Sequence, residues 1–419
     1  MRVLWVINAP IPAAATAVGV APSHFATWIQ SAHEALALQP GLQLSVAFPS
    51  EGGLREGSSD GTNYYTFPPV HVGEEDNGTQ AIETLIRRVR PNIVHIFGTE
   101  GGHALAVARV CAGRNVPFVV GLQGLSTTIA QHYTSGLDAS VVHGATVRDV
   151  IKRDNLSRQA RKYAVRGRAE AETLRLTRYV IGRTTWDRAV AQQINPEAAY
   201  FTVPETLRPA FYDSRWTLDA CQRKSLFVSQ GHYPIKGLHF VLQAMPLILE
   251  RHPEAQLWVS GLPPRSPGFS GWLKQTRYAT HLKDMVRAAN LEEHVHYTGV
   301  LDEVAMRDQY LSSHVFLSAS TVENESNSLS EAKLLGMPVI ASYVGGVVDR
   351  VDHGRTGWFY QHDASYMLAY YVDQVLQDDQ RARTMGEAAR TDSLLLNDPG
   401  RNARLLCDVY AHILQNPAV

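Results

Sequence analysis

The feature that most constrains the fold is an alternation of short apolar runs with helical patterns, which occurs twice along the chain. In the first half, helical periodicity covers Phe25–Leu38 and Ala104–Ala112. The apolar runs between such patterns have the length of strands: Val3–Ile7, Leu42–Phe48, Ile93–Phe97, Pro117–Gly121 and Tyr179–Ile181. Strands that alternate with helices form a parallel sheet covered by helices on both faces. The first half therefore predicts an α/β domain of this kind, with a further helix from about Thr184.

The second half repeats the pattern after a break near Pro204–Arg223, where prolines interrupt the periodicity. A helix is predicted over Leu238–Arg251. The predicted strands are Leu226–Ser229, Leu257–Ser260, Val295–Tyr297, Val315–Ser318 and Val339–Ala341. With 419 residues, the chain is long for a single core. We expect domains at 1–212 and 213–380, with C-terminal helices at 381–419 that pack back on the first domain.

Composition narrows the class of protein. Hydrophobic residues make up 45% and charged residues 19% of the chain, with a net charge of -1, which fits a globular protein and gives no sign of a nucleic-acid partner. The three cysteines are far apart, which is typical of a reducing compartment. The apolar N-terminus resembles a secretion signal, but Asn8, Pro10 and Pro12 interrupt it, so we interpret it as a strand and a loop. A cytoplasmic location is expected.

The most informative stretch follows the predicted strand Val315–Ser318. It contains two carboxylates, Glu323 in a loop and Glu331 inside a helix that ends at Gly336. Small polar residues lie between them: Ser326, Asn327 and Ser328. Such residues at a helix N-terminus let backbone N–H groups approach an anion, and the carboxylates can accept hydrogen bonds from ribose and sugar hydroxyls. A solvated acidic loop is the alternative for a lone pair of glutamates.

The spacing of this stretch resembles a known family. Seven residues separate Glu323 from Glu331, and Gly345-Gly346 and His353-Gly354 with Gly357 follow at set distances. This resembles the E-x7-E region of retaining glycosyltransferases of GT-B architecture, family 4 or glycosyl transferases group 1. The resemblance implies two Rossmann-like domains with a cleft between them. It also implies that Glu331 holds the nucleotide ribose, that Glu323 contacts the donor sugar, and that residues 326–328 lie near the sugar and diphosphate.

A second matching piece is the loop Phe227–Gly237, in which Lys236 opens a helix. In the family this loop reads G-R-L-x-x-x-K-G, and its Arg and Lys grip the diphosphate. Lys236 matches the lysine, whereas Gln230, Gly231 and His232 occupy the region of the arginine. His232 is a candidate substitute, but an ordinary imidazole is only partly charged at neutral pH. An ordinary surface lysine is the alternative for Lys236 taken alone.

Further donor and acceptor residues follow from the same resemblance. The resemblance implies that Gly299 and Val300 form a turn that packs on the nucleotide base, and a plain strand-to-helix turn is the alternative. It also implies that Gly19, expected in the loop after the first strand, lies near the phosphates. On the acceptor side, Gln123 stands where many relatives carry a histidine. The nearby titratable residues are Glu100 and His103, and capping of a helix is the alternative for both.

Residues 148–178 are unusually basic. A run of charges is usually a solvated helix face, and a surface for anionic lipid or a lipid-diphosphate acceptor is the alternative. The segment Ser50–Gly61 is rich in Gly and Ser and is predicted to be a surface loop. No metal-ligand spacing, GxSxG elbow or Walker loop is found in the sequence, so neither a metal nor another cofactor is expected.

These observations predict a retaining, metal-independent glycosyltransferase. It would transfer a sugar from a nucleotide-sugar to a glycan, a lipid-linked or another hydroxyl acceptor, in cell-surface polysaccharide synthesis. Two alternatives remain open: a nucleotide-sugar epimerase of the same architecture, and a non-enzymatic sugar-binding hinge protein.

Overall fold

The computed structural model describes residues 1–21, 27–264 and 274–416. The chain divides by its contacts into two compact units. Unit 1 comprises Met1–Thr128, Tyr163–Arg208 and Asn397–Val419, and unit 2 comprises Ile129–Lys162 and Pro209–Leu396.

Unit 1 is built on an eight-stranded sheet in the order β3-β4-β2-β1-β5-β6-β7-β8. Its strands are β1 (Arg2–Val6), β2 (Gln43–Pro49), β3 (Glu56–Ser59), β4 (Thr62–Phe67), β5 (Ile93–Phe97), β6 (Phe118–Gly121), β7 (Tyr179–Gly182) and β8 (Ala199–Thr202). Only β3 pairs antiparallel within this described sheet. Every residue of β5 is buried, as expected for a central parallel strand covered on both faces.

Helices cover both faces of this sheet. The α-helices assigned wholly to unit 1 are Pro12–Val18, Thr27–Ala37, Glu75–Val89, Gly102–Gly113, Thr185–Ile194 and Pro399–Gln415. Successive residues of β1 point to opposite sides. Val3 and Trp5 pack in one buried cluster with the last helix, and Leu4 and Val6 pack in the other with the helix Gly102–Gly113.

The last helix is tied to the sheet of unit 1 by a buried polar chain. Trp5 Nε1 donates a hydrogen bond to the hydroxyl of Tyr410 at 2.8 Å, and this hydroxyl lies 2.7 Å from Nδ1 of His95. Tyr410 and Trp5 are 405 positions apart in the sequence. The C-terminal helix is therefore part of the core of unit 1.

Unit 2 is built on a six-stranded, parallel sheet in the order β11-β10-β9-β12-β13-β14. Its strands are β9 (Ser225–Val228), β10 (Gln256–Ser260), β11 (Val295–Gly299), β12 (Val315–Ser318), β13 (Val339–Ser342) and β14 (Trp358–Tyr360). The order reverses between β9 and β12, and ligands of open α/β sheets bind at the carboxyl ends of strands at such a point.

The helices of unit 2 come from two parts of the chain. Its α-helices are Ala139–Val142, Val147–Lys152, Leu238–Arg251, Arg277–Ala288, Glu303–Ser312, Asn327–Leu335, Ser365–Leu376 and Asp379–Leu396, and short 3-10 helices cover Pro209–Phe211, Pro234–Lys236 and Gly345–Asp349. Two further helices, Ser126–His132 and Leu156–Leu176, contain residues of both units.

The predicted α/β class is confirmed, and each apolar run predicted as a strand overlaps a strand of the sheets. Strands β4, β8 and β14 were not predicted. The predicted surface loop Ser50–Gly61 is wrong in part, because Glu56–Ser59 forms β3. Asp60 and Gly61 both have positive φ and join β3 to β4, and an Asp-Gly pair between strands is the sequence signal that was available.

Three further predictions concern the first loop, the first helix and the domain bounds. The expected loop after β1 contains the helix Pro12–Val18, which begins with a proline in its first turn. The start of the predicted helix at Phe25 lies outside the described residues. Segment 129–162 groups with unit 2, although the predicted bounds include it in the first domain. Of the C-terminal helices at 381–419, only the last groups with unit 1. Within the described part of the chain, no helix is long and apolar enough to cross a membrane.

Candidate active site

Lys236 and Glu323 meet at the carboxyl end of the unit 2 sheet. Lys236 follows β9 and Glu323 follows the neighbouring strand β12, and the two are 87 positions apart in the chain. The ammonium of Lys236 donates to Oε2 of Glu323 at 2.5 Å, and the hydroxyl of Ser320 donates to the same oxygen at 3.2 Å. Both charged side chains are more than four-fifths buried. Low solvent exposure strengthens their attraction relative to a surface pair.

The turn that carries Lys236 is shaped by Gly237. This glycine has a φ of 68° and connects the 3-10 helix Pro234–Lys236 to the helix Leu238–Arg251. A side-chain carbon at Gly237 would lie 1.8 Å from the carbonyl oxygen of Ala319, at the end of β12. Only glycine fits this position, so the close approach of the two loops fixes Lys236 beside the Glu323 loop.

The helix Asn327–Leu335 presents its N-terminus at the same edge. The hydroxyl of Ser326 accepts from the backbone N–H of Leu329 at 3.3 Å and caps the helix, and Tyr310 donates to the carbonyl of Ser328 at 3.0 Å. The helix ends at Gly336 in the left-handed conformation, as predicted. Glu331 lies in this helix and is 3% exposed. Ser326, Asn327, Ser328 and Glu331 therefore share one element whose dipole favours an anion.

Buried charges that the sequence interpretation missed connect this helix and the residues before it to the loop after β13. Glu325 forms an ion pair with Arg350 at 2.9 Å, with both side chains almost fully buried. The ammonium of Lys333 donates to the carbonyl of Arg350, and burial lowers the pKa of Lys333 to about 8. The ion pair joins the loop after β13 to the residues before the helix, and the Lys333 bond joins that loop to the helix itself. Removal of one partner of the ion pair would leave an uncompensated buried charge.

Three other predicted residues of the donor side follow or end strands in unit 2. His232 follows β9, and its ring packs on Tyr233 with a centroid distance of 4.0 Å. Nδ1 of His232 is buried without a hydrogen-bond partner among the described residues, and burial lowers the pKa of this imidazole. Gly299 ends β11 with a φ of 79°, and Val300 after it is exposed. The lowered pKa argues against a charged His232 at neutral pH.

A polar cluster lies at the carboxyl end of the unit 1 sheet. The amide of Asn8 donates to Glu100 at 3.3 Å, and the backbone N–H of Gly124 donates to its other oxygen at 2.8 Å. A side-chain carbon at Gly98 would lie 2.3 Å from Glu100 Oε2, 2.8 Å from Asn8 Nδ2 and 3.2 Å from Gln123 Oε1. The three side chains therefore converge around Gly98. Burial raises the pKa of Glu100.

The loops that carry this cluster are held by Glu170, which is completely buried. Its carboxylate accepts from the hydroxyl of Thr99 at 2.7 Å, from the N–H of Ser126 at 2.9 Å, and from the N–H and hydroxyl of Thr127 at 3.1 and 2.7 Å. Sequence analysis missed Asn8 and Glu170. A polar residue directly after a central strand was the signal for Asn8, whereas Glu170 had no local signal.

Two further residues of the predicted site, His103 and Gly19, have other contacts in unit 1. The ring of His103 is buried in the helix Gly102–Gly113 at 5.9 Å from the ring of Phe67, and burial lowers its pKa to about 4. Gly19 caps the C-terminus of the helix Pro12–Val18, and its carbonyl accepts from Arg55 at 3.2 Å. His103 is thus packed as a neutral core residue, and Gly19 has a structural role at a helix end.

Solved structures share this architecture. Sucrose-phosphate synthase from Thermosynechococcus elongatus matches with a TM-score of 0.71 and 17% identity, covering 99% of each chain. Anabaena HepE in complex with UDP-glucose matches with a TM-score of 0.67 and 14% identity, covering 98% of this chain and 100% of that one. The two parallel-sheet, Rossmann-like units thus define a protein of the GT-B fold class.

The second half of the chain matches a known family of enzymes. Residues 213–392 match the model of the family Glycosyl transferases group 1. An uncharacterized glycosyltransferase of Methanocaldococcus jannaschii is 30% identical over 158 residues, which is 38% of this chain and 36% of the relative. Residues 213–392 therefore resemble glycosyl transferases group 1, and they make up less than half of the chain. The chain matches only about a third of the length of this curated relative.

The position of Glu331 leads to a prediction about the nucleotide. Glu331→Gln should weaken binding of a nucleoside diphosphate at least about tenfold, because a hydrogen bond to a charged group contributes roughly 1.5–3 kcal/mol. Titration calorimetry on folded protein measures this, with the exposed Glu293→Gln as control. If Glu331→Gln and the wild type bind the nucleoside diphosphate with equal affinity, Glu331 does not contact the nucleotide.

The half-buried His232 leads to a prediction about pH. Its protonated fraction falls as the pH rises through a pKa that burial places below the ordinary value of about 6.5. We therefore expect kcat/KM for the donor to respond equally to pH from 7 to 8 in the wild type and in His232→Gln. The exposed His143→Gln is the control. A decline over this range in the wild type that His232→Gln abolishes would show that His232 acts as an imidazolium.

Proposed function

We propose that the protein is a glycosyltransferase that transfers a sugar from a nucleotide-sugar to a hydroxyl acceptor with retention of the anomeric configuration. The observation that carries this proposal is the contact between Lys236 and Glu323 beside the N-terminus of the helix that contains Glu331. A permanent cation, a helix N-terminus and two carboxylates suit a ligand that joins a diphosphate to two sets of hydroxyl groups.

Donor chemistry follows from this arrangement. Transfer breaks the bond between the anomeric carbon and the diphosphate, and negative charge develops on the leaving oxygen. Lys236 and the N–H groups at residues 326–328 stabilise that charge, because they are positioned before the reaction begins. When the ammonium of Lys236 binds the diphosphate instead of Glu323, the carboxylate of Glu323 can accept hydrogen bonds from the hydroxyls of the sugar. Glu331 accepts from the ribose.

Acceptor chemistry is assigned to the cluster of Asn8, Glu100 and Gln123. Asn8 and Gln123 can hydrogen-bond a hydroxyl, but only Glu100 of the three can take up a proton. Its raised pKa brings this carboxyl closer to the working pH of a general base or acid. His103 is not part of this assignment, since its ring is packed on Phe67. A glycan or a lipid-linked hydroxyl is the expected acceptor, in cell-surface polysaccharide synthesis.

The experiment is a search for acceptor-dependent release of nucleoside diphosphate. Candidate nucleotide-sugars are first ranked by thermal shift, since a ligand at one hundred times its dissociation constant stabilises by about 2.7 kcal/mol. UDP-sugars come first because a structural neighbour was solved with UDP-glucose. Release that requires an acceptor supports the transferase. Conversion of the donor without an acceptor would support an epimerase, and binding without any turnover would support a sugar-binding protein.

Activity is expected to survive EDTA, because positive charge at the diphosphate comes from Lys236 and a helix N-terminus. Among residues 1–21, 27–264 and 274–416, no group of three or more His, Cys, Asp or Glu side chains is placed to hold a metal ion. Turnover is measured before and after chelation. A loss of activity that Mg²⁺ or Mn²⁺ restores would refute metal independence.

A further inference from the structure

We propose that the helix Val147–Lys152 and the first turns of the helix Leu156–Leu176 form a surface that binds an anionic lipid bilayer. This surface consists of residues 147–162. It narrows the basic run 148–178 to the part that groups with unit 2. The proposal does not depend on the assigned enzymatic activity.

The first observation is an exposed apolar face on a short helix. Val147, Val150 and Ile151 are 43%, 64% and 71% exposed. Their spacing of three and four residues places them on one side of the helix. Single exposed apolar residues are common, but three adjacent ones on one face indicate a contact surface.

The orientation of this helix is set by a buried aspartate on its opposite side. Asp149 is 2% exposed and accepts from the backbone N–H of Arg277 at 2.9 Å. It also completes a capping box with Thr146, whose hydroxyl donates to the carbonyl of Gln275 at 2.7 Å. These bonds attach the helix to unit 2 through its polar side. The apolar side is therefore held outward by the fold.

The second observation is the charge that surrounds the apolar face. Residues 147–162 contain six basic and two acidic residues, in a chain with a net charge of -1. Of the two acids, Asp149 is buried and Asp154 is paired with Lys162 at 2.8 Å. Four exposed basic side chains have no acidic partner in the described part of the chain: Lys152, Arg153, Arg158 and Arg161.

The combination of basic and apolar side chains in residues 147–162 favours an anionic lipid bilayer over other anionic partners. Apolar side chains beside basic ones are the composition of interfacial helices, whose apolar face enters the boundary of the acyl chains while Lys and Arg contact lipid headgroups. A nucleic acid or an acidic protein would use the four cations, but it would leave Val150 and Ile151 in water. The apolar pair therefore distinguishes a bilayer from other polyanions.

The test is cosedimentation of the full chain with vesicles of phosphatidylcholine, with and without phosphatidylglycerol. We expect binding only to vesicles that contain phosphatidylglycerol, and a large loss between 0.1 and 1 M salt, where the screening length falls from about 10 to 3 Å. Lys152→Glu with Arg153→Glu should weaken binding at least about tenfold. Lys283→Glu with Arg287→Glu, the same change of charge at a partly exposed lysine and an exposed arginine elsewhere in unit 2, should change binding less than about twofold.

The apolar pair has its own control. Val150→Ser with Ile151→Ser should weaken binding to the same vesicles at least about fivefold, whereas Leu38→Ser with Val304→Ser, also exposed apolar residues, should not. Circular dichroism checks that all variants are folded. Failure of the wild type to bind, or equal losses in test and control pairs, would overturn the proposal. Heparin binding as tight as vesicle binding and unaffected by Val150→Ser with Ile151→Ser would instead show a general polyanion surface.

Discussion

Replacing Lys236 with alanine is expected to lower turnover at least about a hundredfold. Lys236 is the permanent cation assigned to the diphosphate, and a hundredfold loss corresponds to about 2.7 kcal/mol of transition-state stabilisation. The family's arginine has no counterpart at 230–232, so no second member of an Arg/Lys pair in that loop shares the charge. The loss should therefore exceed that from removing one member of such a pair.

The measurement is kcat at saturating donor, with two comparisons. Lys236→Arg keeps the charge and should retain more activity than the alanine variant. Lys283→Ala removes a partly exposed lysine of the same unit and should leave kcat unchanged. A folded Lys236→Ala enzyme with near-normal kcat would mean that the helix N-terminus, or an arginine of the N-terminal half, holds the leaving group.

Replacing Glu323 with alanine is expected to separate catalysis from nucleotide binding. Turnover should fall by roughly a hundredfold if the carboxylate contacts the sugar in the transition state. Affinity for the bare nucleoside diphosphate should stay the same or rise by up to about tenfold, because Lys236 no longer has a competing carboxylate at 2.5 Å. Kinetics and calorimetry on the same preparation test both parts. Wild-type turnover would make Glu323 an ordinary loop residue.

The contact between the two residues can be tested by a double-mutant cycle. If Lys236 and Glu323 act through their ion pair as well as through the donor, the effects of Lys236→Ala and Glu323→Ala should not add. The exposed Glu293→Ala, combined with Lys236→Ala, is the matched control and should show additivity. Additive effects in the Lys236–Glu323 cycle would mean that their contact has no part in catalysis.

Much of the fold was predictable because its signals are local. The fully buried β5, the helix Leu238–Arg251 and the end of a helix at Gly336 each follow from a few consecutive residues. The strand ends located Lys236 and Glu331 at one edge of a sheet, since parallel strands point the same way. Their assigned roles remain predictions. The helix Pro12–Val18 and the β3–β4 hairpin were missed. The signals in the sequence were a proline at the start of the helix and an Asp-Gly pair between the two strands.

The sequence by itself determined two successive α/β patterns and the order of their strands along the chain, because the periodicity of buried residues depends only on near neighbours. Only the tertiary structure decided that Asn8, Glu100 and Gln123 converge at Gly98, that Asp149 turns Val150 and Ile151 outward, and that segment 129–162 groups with unit 2. These outcomes join residues that are distant in sequence. They depend on the packing of the whole chain, so no local pattern encodes them.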